Sequence, residues 1–556
     1  MSTSDPLIAF HVDMNFICPP LSYLRRWVEQ IADMGYNAIL WELENKVQWE
    51  TCPECVWPEA MTKSEFAGLL DYSRSLGLQP IPLFQTIGHG EYVLQHDQYK
   101  AFRELPDHHD CYCTTNPAVR SFLKKWIAEY LDLFGDVKHF HLGGDEAYVF
   151  AQCPRCADRA DRIGRNRLYA EHLIDIAQPL VQRGVRPSIW NDMILHHVDE
   201  VDDVPRDFLI WDWNYRDGVT PRDTTCLPGH GWISKEQITP SMREAMPEVL
   251  DDNGDNRPFY TAAMFRRLGF DVVLCSSTRS AGDSLFGGSH ALHAPNVVGA
   301  SQTAARLGLV GTCVTSWAIR IANYETQLPW ILLGPMAFHQ PEAEFDDLLA
   351  QAAQRLLGTP DTTFFEAIDR IGTPFLFSRA ASRTANGIQW NEWKDSLPPP
   401  EGYLADQLRQ WTAPEHTATW AREGQRLQQA ATRLADGDAR LLSLLGEVHP
   451  GQGLVREWMT VARHQAAQLR VAQNIMARTA GKRCFCPAEM AHHVRESKQD
   501  FIAWATRWMT PQSARHNAGL IYDCVIDYYE NLAADHQSPA SRPQAIDQQL
   551  AARTPQ

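Results

Sequence analysis

The sequence predicts an α/β protein, a (β/α)8 TIM barrel followed by a C-terminal α-helical region. Three observations carry that expectation. Through the first 340 or so residues an apolar run, a loop, an amphipathic helix, a glycine and a new apolar run recur until eight strands are counted. Beyond about residue 340 the strand pattern stops and long helical stripes take over. The first strand runs into His11-Val-Asp13-Met-Asn15-Phe16 rather than a glycine-rich phosphate loop, which argues against a doubly wound open sheet.

The elements follow in order. Leu7 to Val12 is β-like, and Leu24, Trp27, Val28 and Ile31 then recur at helical spacing until Gly35. Ala38 to Leu43 is the second strand. Thr62 and Glu65 form a capping box for the next helix, which Gly77 ends before the strand Gln79 to Phe84. Asn116-Pro117 opens a helix closed by Gly135 ahead of Val137 to Leu142. Gly184, Gly269 and Gly308 punctuate the chain before Pro187 to Trp190, Asp271 to Cys275 and Leu309 to Trp317. Phe208 to Trp213 is a further strand, followed by a long insertion. Helices are expected over 343–357, 418–445, 453–480 and 495–534. The expected division is a barrel over 1–340, a helical region over 341–536 and a flexible tail over 537–556. The helical region either extends a barrel face or builds a homodimer contact.

Composition narrows the partners. With 51 basic and 68 acidic side chains the 556-residue chain carries −17, which speaks against a nucleic acid partner. No apolar run reaches the ~18 residues of a spanning helix, so no membrane partner is expected. Met1 to Leu7 has neither a basic nor a hydrophobic stretch, and the expected location is cytoplasmic. In that compartment the 13 cysteines are thiols or metal ligands before they are disulfides.

In a barrel, functional residues gather where strands end and the following loops begin. Those positions hold His11, Asp13 and Asn15; Trp41, Glu42, Glu44 and Asn45; Gln85 and His89; His141, Asp145, Glu146 and Tyr148. Later strands add Trp190, Asn191 and Asp192; Trp211, Asp212, Trp213 and Tyr215; Trp317, Arg320 and Tyr324. Together they describe a polar, tryptophan-walled pocket, whose tryptophans either belong to the core or line a site for the flat faces of a small glycan or glycoside. In Phe140-His-Leu-Gly-Gly-Asp-Glu-Ala-Tyr148, two glycines inside a strand weaken its ladder and pack nothing. They make sense where a ligand or a neighbouring chain segment must come close.

His141-Leu-Gly-Gly-Asp145-Glu146 resembles the signature of glycoside hydrolase family 20, the β-N-acetylhexosaminidases. The resemblance extends across most of the barrel and is nearest the hexosaminidase D-like branch. It includes Trp41-Glu-Leu-Glu-Asn45, Pro82-Leu-Phe-Gln-Thr-Ile-Gly-His89, Trp190-Asn-Asp192 and Gly311-Thr-Cys-Val-Thr-Ser-Trp317. It implies a retaining, substrate-assisted exo-hydrolase, in which the substrate's 2-acetamido oxygen attacks the anomeric carbon and forms an oxazolinium. Glu146 would be the general acid and then base, and Asp145 would orient the acetamido group. Trp190 and Trp317 would wall the sugar, and Tyr215, with Tyr324 as competitor, would donate to the acetamido carbonyl. His89 would support the acid pair. Asp13, Glu42 and Glu44 would accept from sugar hydroxyls, with His141 and Asp192 completing the substrate site. The better-known branch has an Arg shortly after the first-strand Asp, where this chain has Asn15-Phe16. Recognition of the 3- and 4-hydroxyls therefore differs, and β-linked GalNAc ranks slightly ahead of GlcNAc.

Catalysis of this type needs no cofactor. The cysteines carry a separate signal, since Cys52-Pro-Glu-Cys55 and Cys153-Pro-Arg-Cys156 both have zinc-knuckle spacing after strands two and four. Cys52, Cys55, Cys153 and Cys156 are thus candidate ligands of a structural zinc, with Cys111-Tyr-Cys113 as a substitute for one pair; free thiols and disulfides are the other readings. Two other function classes stay open. A metal-dependent barrel hydrolase is suggested by His11-x-Asp13, but no H-E-x-x-H occurs. A non-catalytic sugar-binding relative is opposed by the intact Asp145-Glu146 pair.

Overall fold

The computed structural model describes residues 5–196, 198–280, 282–317, 323–374, 383–385, 388–390, 401–447 and 450–537. Arg320 and residues 538–556 of the expected tail lie outside that set. The strands that build the site are β1 (Leu7–Asp13), β2 (Ala38–Glu42), β3 (Gln79–Leu83), β4 (His139–His141), β5 (Arg186–Trp190) and β6 (Leu209–Trp213). A hairpin, β7 (Thr224–Leu227) and β8 (Gly231–Ser234), occupies the insertion, and β9 (Val272–Arg279) and β10 (Gly311–Ser316) complete the set. All but the hairpin close into one parallel barrel in the order β1-β10-β9-β6-β5-β4-β3-β2. Each predicted barrel strand is found.

The reasons are local first. The helix Leu21–Met34 buries Leu24, Trp27, Val28 and Ile31, the stripe read from sequence, together with Tyr23, and ends at Gly35 with φ 102°. Full burial of each such side chain stabilises by about 1.5–3 kcal/mol. Thr62 and Glu65 make the reciprocal capping box, and the Asn116 side chain accepts from Ala118 N with Pro117 behind it. Inside the barrel Trp190 and Trp211 share one buried cluster with small residues such as Ala9, Ala38, Cys275 and Cys313 and larger ones such as Leu40, Ile81 and Leu83. Large against small keeps the interior close-packed rather than hollow.

The helical region packs onto the barrel. Trp458 of helix Gln452–Thr479 meets Trp330 edge to face at 6.0 Å, and a Cβ on Gly287 would lie 3.0 Å from the Trp458 ring. Buried Glu457 accepts from Asn323 Nδ2 (2.6 Å), Trp504 Nε1 (2.7 Å) and Arg507 Nη1 (2.9 Å). The stretch expected as one helix over 495–534 is two, Pro487–Ala505 and Pro511–Gln537. Pro511 lacks the N–H to continue a helix but suits a new first turn. Thr510 N donates to Cys18 O at 2.8 Å and Asn517 Nδ2 to Phe16 O at 3.0 Å, which seats the last helix on the loop after β1. Helices Thr363–Ile371 and Tyr403–Trp411 were not anticipated.

Candidate active site

The site is built around the end of β4. Gly143 (φ 65°) and Gly144 (φ 88°) follow that short strand, in backbone conformations other residues rarely adopt. Space gives a second reason. A Cβ on Gly143 would sit 2.0 Å from Gln85 Oε1, and one on Gly144 2.6 Å from the Tyr169 hydroxyl. The close approach expected from the sequence is thus made by neighbouring side chains. On the β3 side, a Cβ on Gly88 would lie 2.2 Å from Asp145 O. The left-handed turn lets successive acids share one cavity, although alternation along a strand would send them to opposite faces. Glu146 itself has φ 43°, a conformation held against its own preference.

Contacts from three strands fix the pair. His89, also left-handed at φ 54°, places Nε2 at 3.3 Å from Asp145 Oδ2 and 3.6 Å from Glu146 Oε2. Burial works against a charge on His89, but the Asp145 carboxylate outweighs it and holds the imidazole well above its usual range. Asp145 Oδ1 is buried with no hydrogen-bond partner among the described residues. A buried carboxylate oxygen without a partner, on a residue that lines a cavity, calls for a donor that the described residues do not supply. Asp192 Oδ2 accepts from Glu146 N at 2.9 Å and its Oδ1 from Trp213 Nε1 at 3.2 Å. Burial, reinforced by Asp145, pushes the Asp192 carboxyl up to about 7.

The opposite wall comes from β1 and β2. Glu42 is engaged on both oxygens, Oε2 by His11 Nε2 at 3.0 Å and Oε1 by Gln85 Nε2 at 2.9 Å. Asp13 Oδ1 accepts from Asn15 N at 2.7 Å. Burial raises Glu44 well above the ordinary carboxylate range against the opposing pull of Lys46, and burial lowers Lys46. The Lys46 ammonium donates to Asn15 O at 2.8 Å and Asn45 Oδ1 at 2.5 Å. Lys46 was missed from the sequence. It directly follows the Trp41 to Asn45 motif, and a cation at a rim so rich in acids was the available signal.

The cavity measures about 1220 Å³. Asp13, Glu42, Glu44, His89, Asp145, Glu146, Asp192, Tyr215 and Trp317 all line it, as do Lys46, Trp213 and Trp232. His516 lines it too, from the last helix, packing edge to face on Trp57 at 5.3 Å, so the helical region completes the rim. Three expected contacts do not reach the lining. His141 and Trp190, at the ends of β4 and β5, lie fully buried with ring centroids 4.3 Å apart, and Trp190 belongs to the buried cluster inside the barrel. Tyr324 is packed outside the barrel among Phe10, Tyr23 and Trp27, so Tyr215 alone of the two tyrosines meets the cavity. Tyr215 stacks on Trp213 at 5.1 Å.

The cysteine pairs do not meet. Cys153 and Cys156 join Cys113 and Glu104, with all four ligand atoms within 4.8 Å of one another. Cys55 Sγ turns back to Cys52 O at 3.0 Å, apart from that group. Cys113 was foreseen as a substitute. Glu104 was not, for a lone acid on a loop carries no spacing signal.

Residues 40–233 match the family model for Glycosyl hydrolase family 20, catalytic domain. Hexosaminidase D of Homo sapiens is 28% identical over 204 residues, covering 35% of this chain and 41% of that protein. Hexosaminidase D of Bos taurus is 26% identical over 207 residues, covering 36% and 57%. The chain spans about half the length of the curated relatives it matches. The crystal structure of a β-N-acetylhexosaminidase from Bacteroides fragilis aligns with a TM-score of 0.44 at 16% identity, over 63% of this chain and 70% of that one. The segment from 40 to 233 is similar to the family 20 catalytic domain and to hexosaminidase D, in keeping with the resemblance carried by its His-x-Gly-Gly-Asp-Glu motif.

Proposed function

We propose that this chain is an exo-acting β-N-acetylhexosaminidase that works with retention through an oxazolinium formed by its substrate. The observation that carries the reading is the acid pair on the cavity wall: Asp145 with one buried oxygen that no described residue partners, Glu146 beside it at the half-open rim. The acetamido N–H of the substrate fills the vacant valence of Asp145 Oδ1. That contact aims the acetamido oxygen at the anomeric carbon, and the carboxylate stabilises the positive charge that develops. Glu146 gives its proton to the glycosidic oxygen as that bond breaks. It then takes a proton from the water that opens the oxazolinium, which restores the acetamido group and the acid. His89 holds both carboxyls in register, and Asp192 fixes the Glu146 backbone. Tyr215 donates to the acetamido carbonyl, while Trp317 and Trp213 cover the sugar face.

The substrate is an uncharged glycan. Asp13, Glu42, Glu91, Asp145 and Glu146 give the lining a negative field that disfavours anionic sugars. The volume exceeds the ~300–1,000 Å³ usual for small-ligand clefts, which leaves room beyond one ring. Trp232 on the β7–β8 hairpin, half exposed at the rim under the Arg216 guanidinium at 5.0 Å, is the platform for the next residue. Terminal β-GalNAc is preferred to β-GlcNAc, with Lys46 supplying the cation that Asn15-Phe16 does not. No cofactor enters the reaction, and the chain works in the cytoplasm.

Hydrolysis of aryl β-GalNAc and β-GlcNAc tests the reading. Asp145→Asn is expected to lose ~10²–10³-fold in kcat, and a thiazoline analogue of the intermediate to inhibit the wild type. Full activity in Asp145→Asn, or indifference to the thiazoline, refutes the mechanism. Trp232→Ala is expected to raise KM several-fold for a disaccharide and leave the aryl monosaccharide unchanged.

A further inference from the structure

We infer that Cys113, Cys153, Cys156 and Glu104 form a structural zinc site that clamps the loop after β3 to the loop carrying the acid pair. The four ligands come from segments 40 or more residues apart and are all buried, none more than 9% exposed. Cys113 Sγ lies 3.7 Å from both Cys153 Sγ and Cys156 Sγ. Tetrahedral zinc with Zn–S bonds of ~2.3 Å sets sulfur atoms ~3.8 Å apart. A disulfide needs ~2.05 Å between them.

The surroundings are those of a metal centre rather than of three idle thiols. Cys153 caps helix Pro154–Ile163, and Cys156 N points at Cys153 Sγ at 3.4 Å, the backbone bond of a knuckle turn. Thr115 Oγ1 lies 3.1 Å from Cys156 Sγ. Glu104 Oε1 accepts from Gln152 N (2.8 Å) and Cys153 N (2.9 Å), which turns Oε2 toward the sulfurs, 3.2 Å from Cys156 Sγ. A carboxylate buried among sulfur atoms is costly without a counter-charge. A divalent ion supplies it, and Arg155, with Nη2 3.6 Å from Cys113 Sγ, offsets the remaining negative charge. Three thiolates select a soft ion over calcium or magnesium, and four protein ligands leave no open position for chemistry.

The clamp has a place in the architecture. Gln152 and Cys153 stand a few residues beyond Glu146, and the link runs back through Gln152 Nε2 to Tyr148 O (3.1 Å) and Tyr148 N to Glu146 O (2.8 Å). Glu104 and Cys113 belong to the segment that follows His89, where Gly90 N donates to Asp110 O at 3.0 Å. The ion therefore ties together the two loops that carry His89 and Glu146. Glu104, Cys113, Cys153 and Cys156 are positioning residues and do not touch the sugar.

Elemental analysis of the full chain, purified without chelator or immobilised metal, tests the site. About one zinc per chain is expected in the wild type and in Cys52→Ser, and less than about 0.2 in Cys113→Ser and Cys153→Ser. Loss of a ligand can also unfold the chain, so cobalt(II) is in addition exchanged into the wild type. Sulfur-to-cobalt charge transfer and the intense visible bands of tetrahedral cobalt are expected. The inference is overturned by a wild type that holds no zinc as purified or after incubation with zinc under reducing conditions. Zinc retained by Cys153→Ser but lost from Cys52→Ser, or octahedral cobalt spectra, overturns it equally.

Discussion

Two loops at the same end of the barrel start from nearly the same parts. The loop after β2 has acids at Glu42 and Glu44, the latter at φ 42°, and then Cys52-Pro-Glu-Cys55. The loop after β4 has acids at Asp145 and Glu146, the latter at φ 43°, and then Cys153-Pro-Arg-Cys156. The acids and cysteines of the first are taken up by close neighbours. Glu42 is engaged by His11 and Gln85, Glu44 is buried beside Lys46, and Cys55 turns to its own partner's carbonyl. The second leaves valences open: Asp145 Oδ1 has no partner among the described residues, Glu146 reaches the rim, and its cysteines find Cys113 and Glu104. Loops of nearly the same residue types thus differ in which of their polar atoms the rest of the chain satisfies.

The comparison breaks most clearly under neutralisation of the two left-handed glutamates. Glu146→Gln is expected to lose ~10²–10⁴-fold in kcat/KM on aryl glycosides. Glu44→Gln is expected to stay within ~10-fold, because burial already favours the uncharged Glu44 and the amide keeps its shape. Steady-state kinetics that ranked the two the other way would reverse the roles given to the loops.

Backbone strain separates them next. Gly144→Ala must enter a positive φ and approach the Tyr169 hydroxyl, so it should destabilise by about 1–3 kcal/mol in urea unfolding. The loop after β2 has no glycine to substitute, so its left-handed turn at Glu44 is tolerated without one.

The smallest effect is on pH dependence. Asp192 titrates at about 7 in the folded chain, against 3.8 for an ordinary Asp. Between those values the folded state holds a proton that the unfolded state has released, so stability falls as pH rises from about 4 to 7 and then levels. Asp212, also pushed up to about 7 by burial, and Glu44 act in the same direction. Asp192→Asn should narrow the difference in Tm between pH 5 and pH 8 without abolishing it. An unchanged difference in thermal scans would place the raised carboxyl elsewhere.

How much of the site was legible depends on the range of the contact involved. Strand ends are local, so Asp13, Glu42, Glu44, His89, Asp145, Glu146, Asp192, Tyr215 and Trp317 were found on the cavity. Trp190 and His141 stand at strand ends too, but whether a last inward residue lines a cavity or fills the barrel depends on the neighbouring strands. Trp190 joins a buried cluster with residues of other strands, Ala9 and Cys313 among them. Lys46, Glu104 and His516 were missed because each is drawn in by residues distant in sequence.

By itself the sequence determined the barrel, its helix caps and the acid pair, because hydrophobic period, capping and a glycine-glycine turn act over a few residues. Tertiary structure decided which acid kept an open valence and which cysteines met. It also brought the last helix onto the rim. Those outcomes rest on burial and on hydrogen bonds between elements, and no local pattern encodes either.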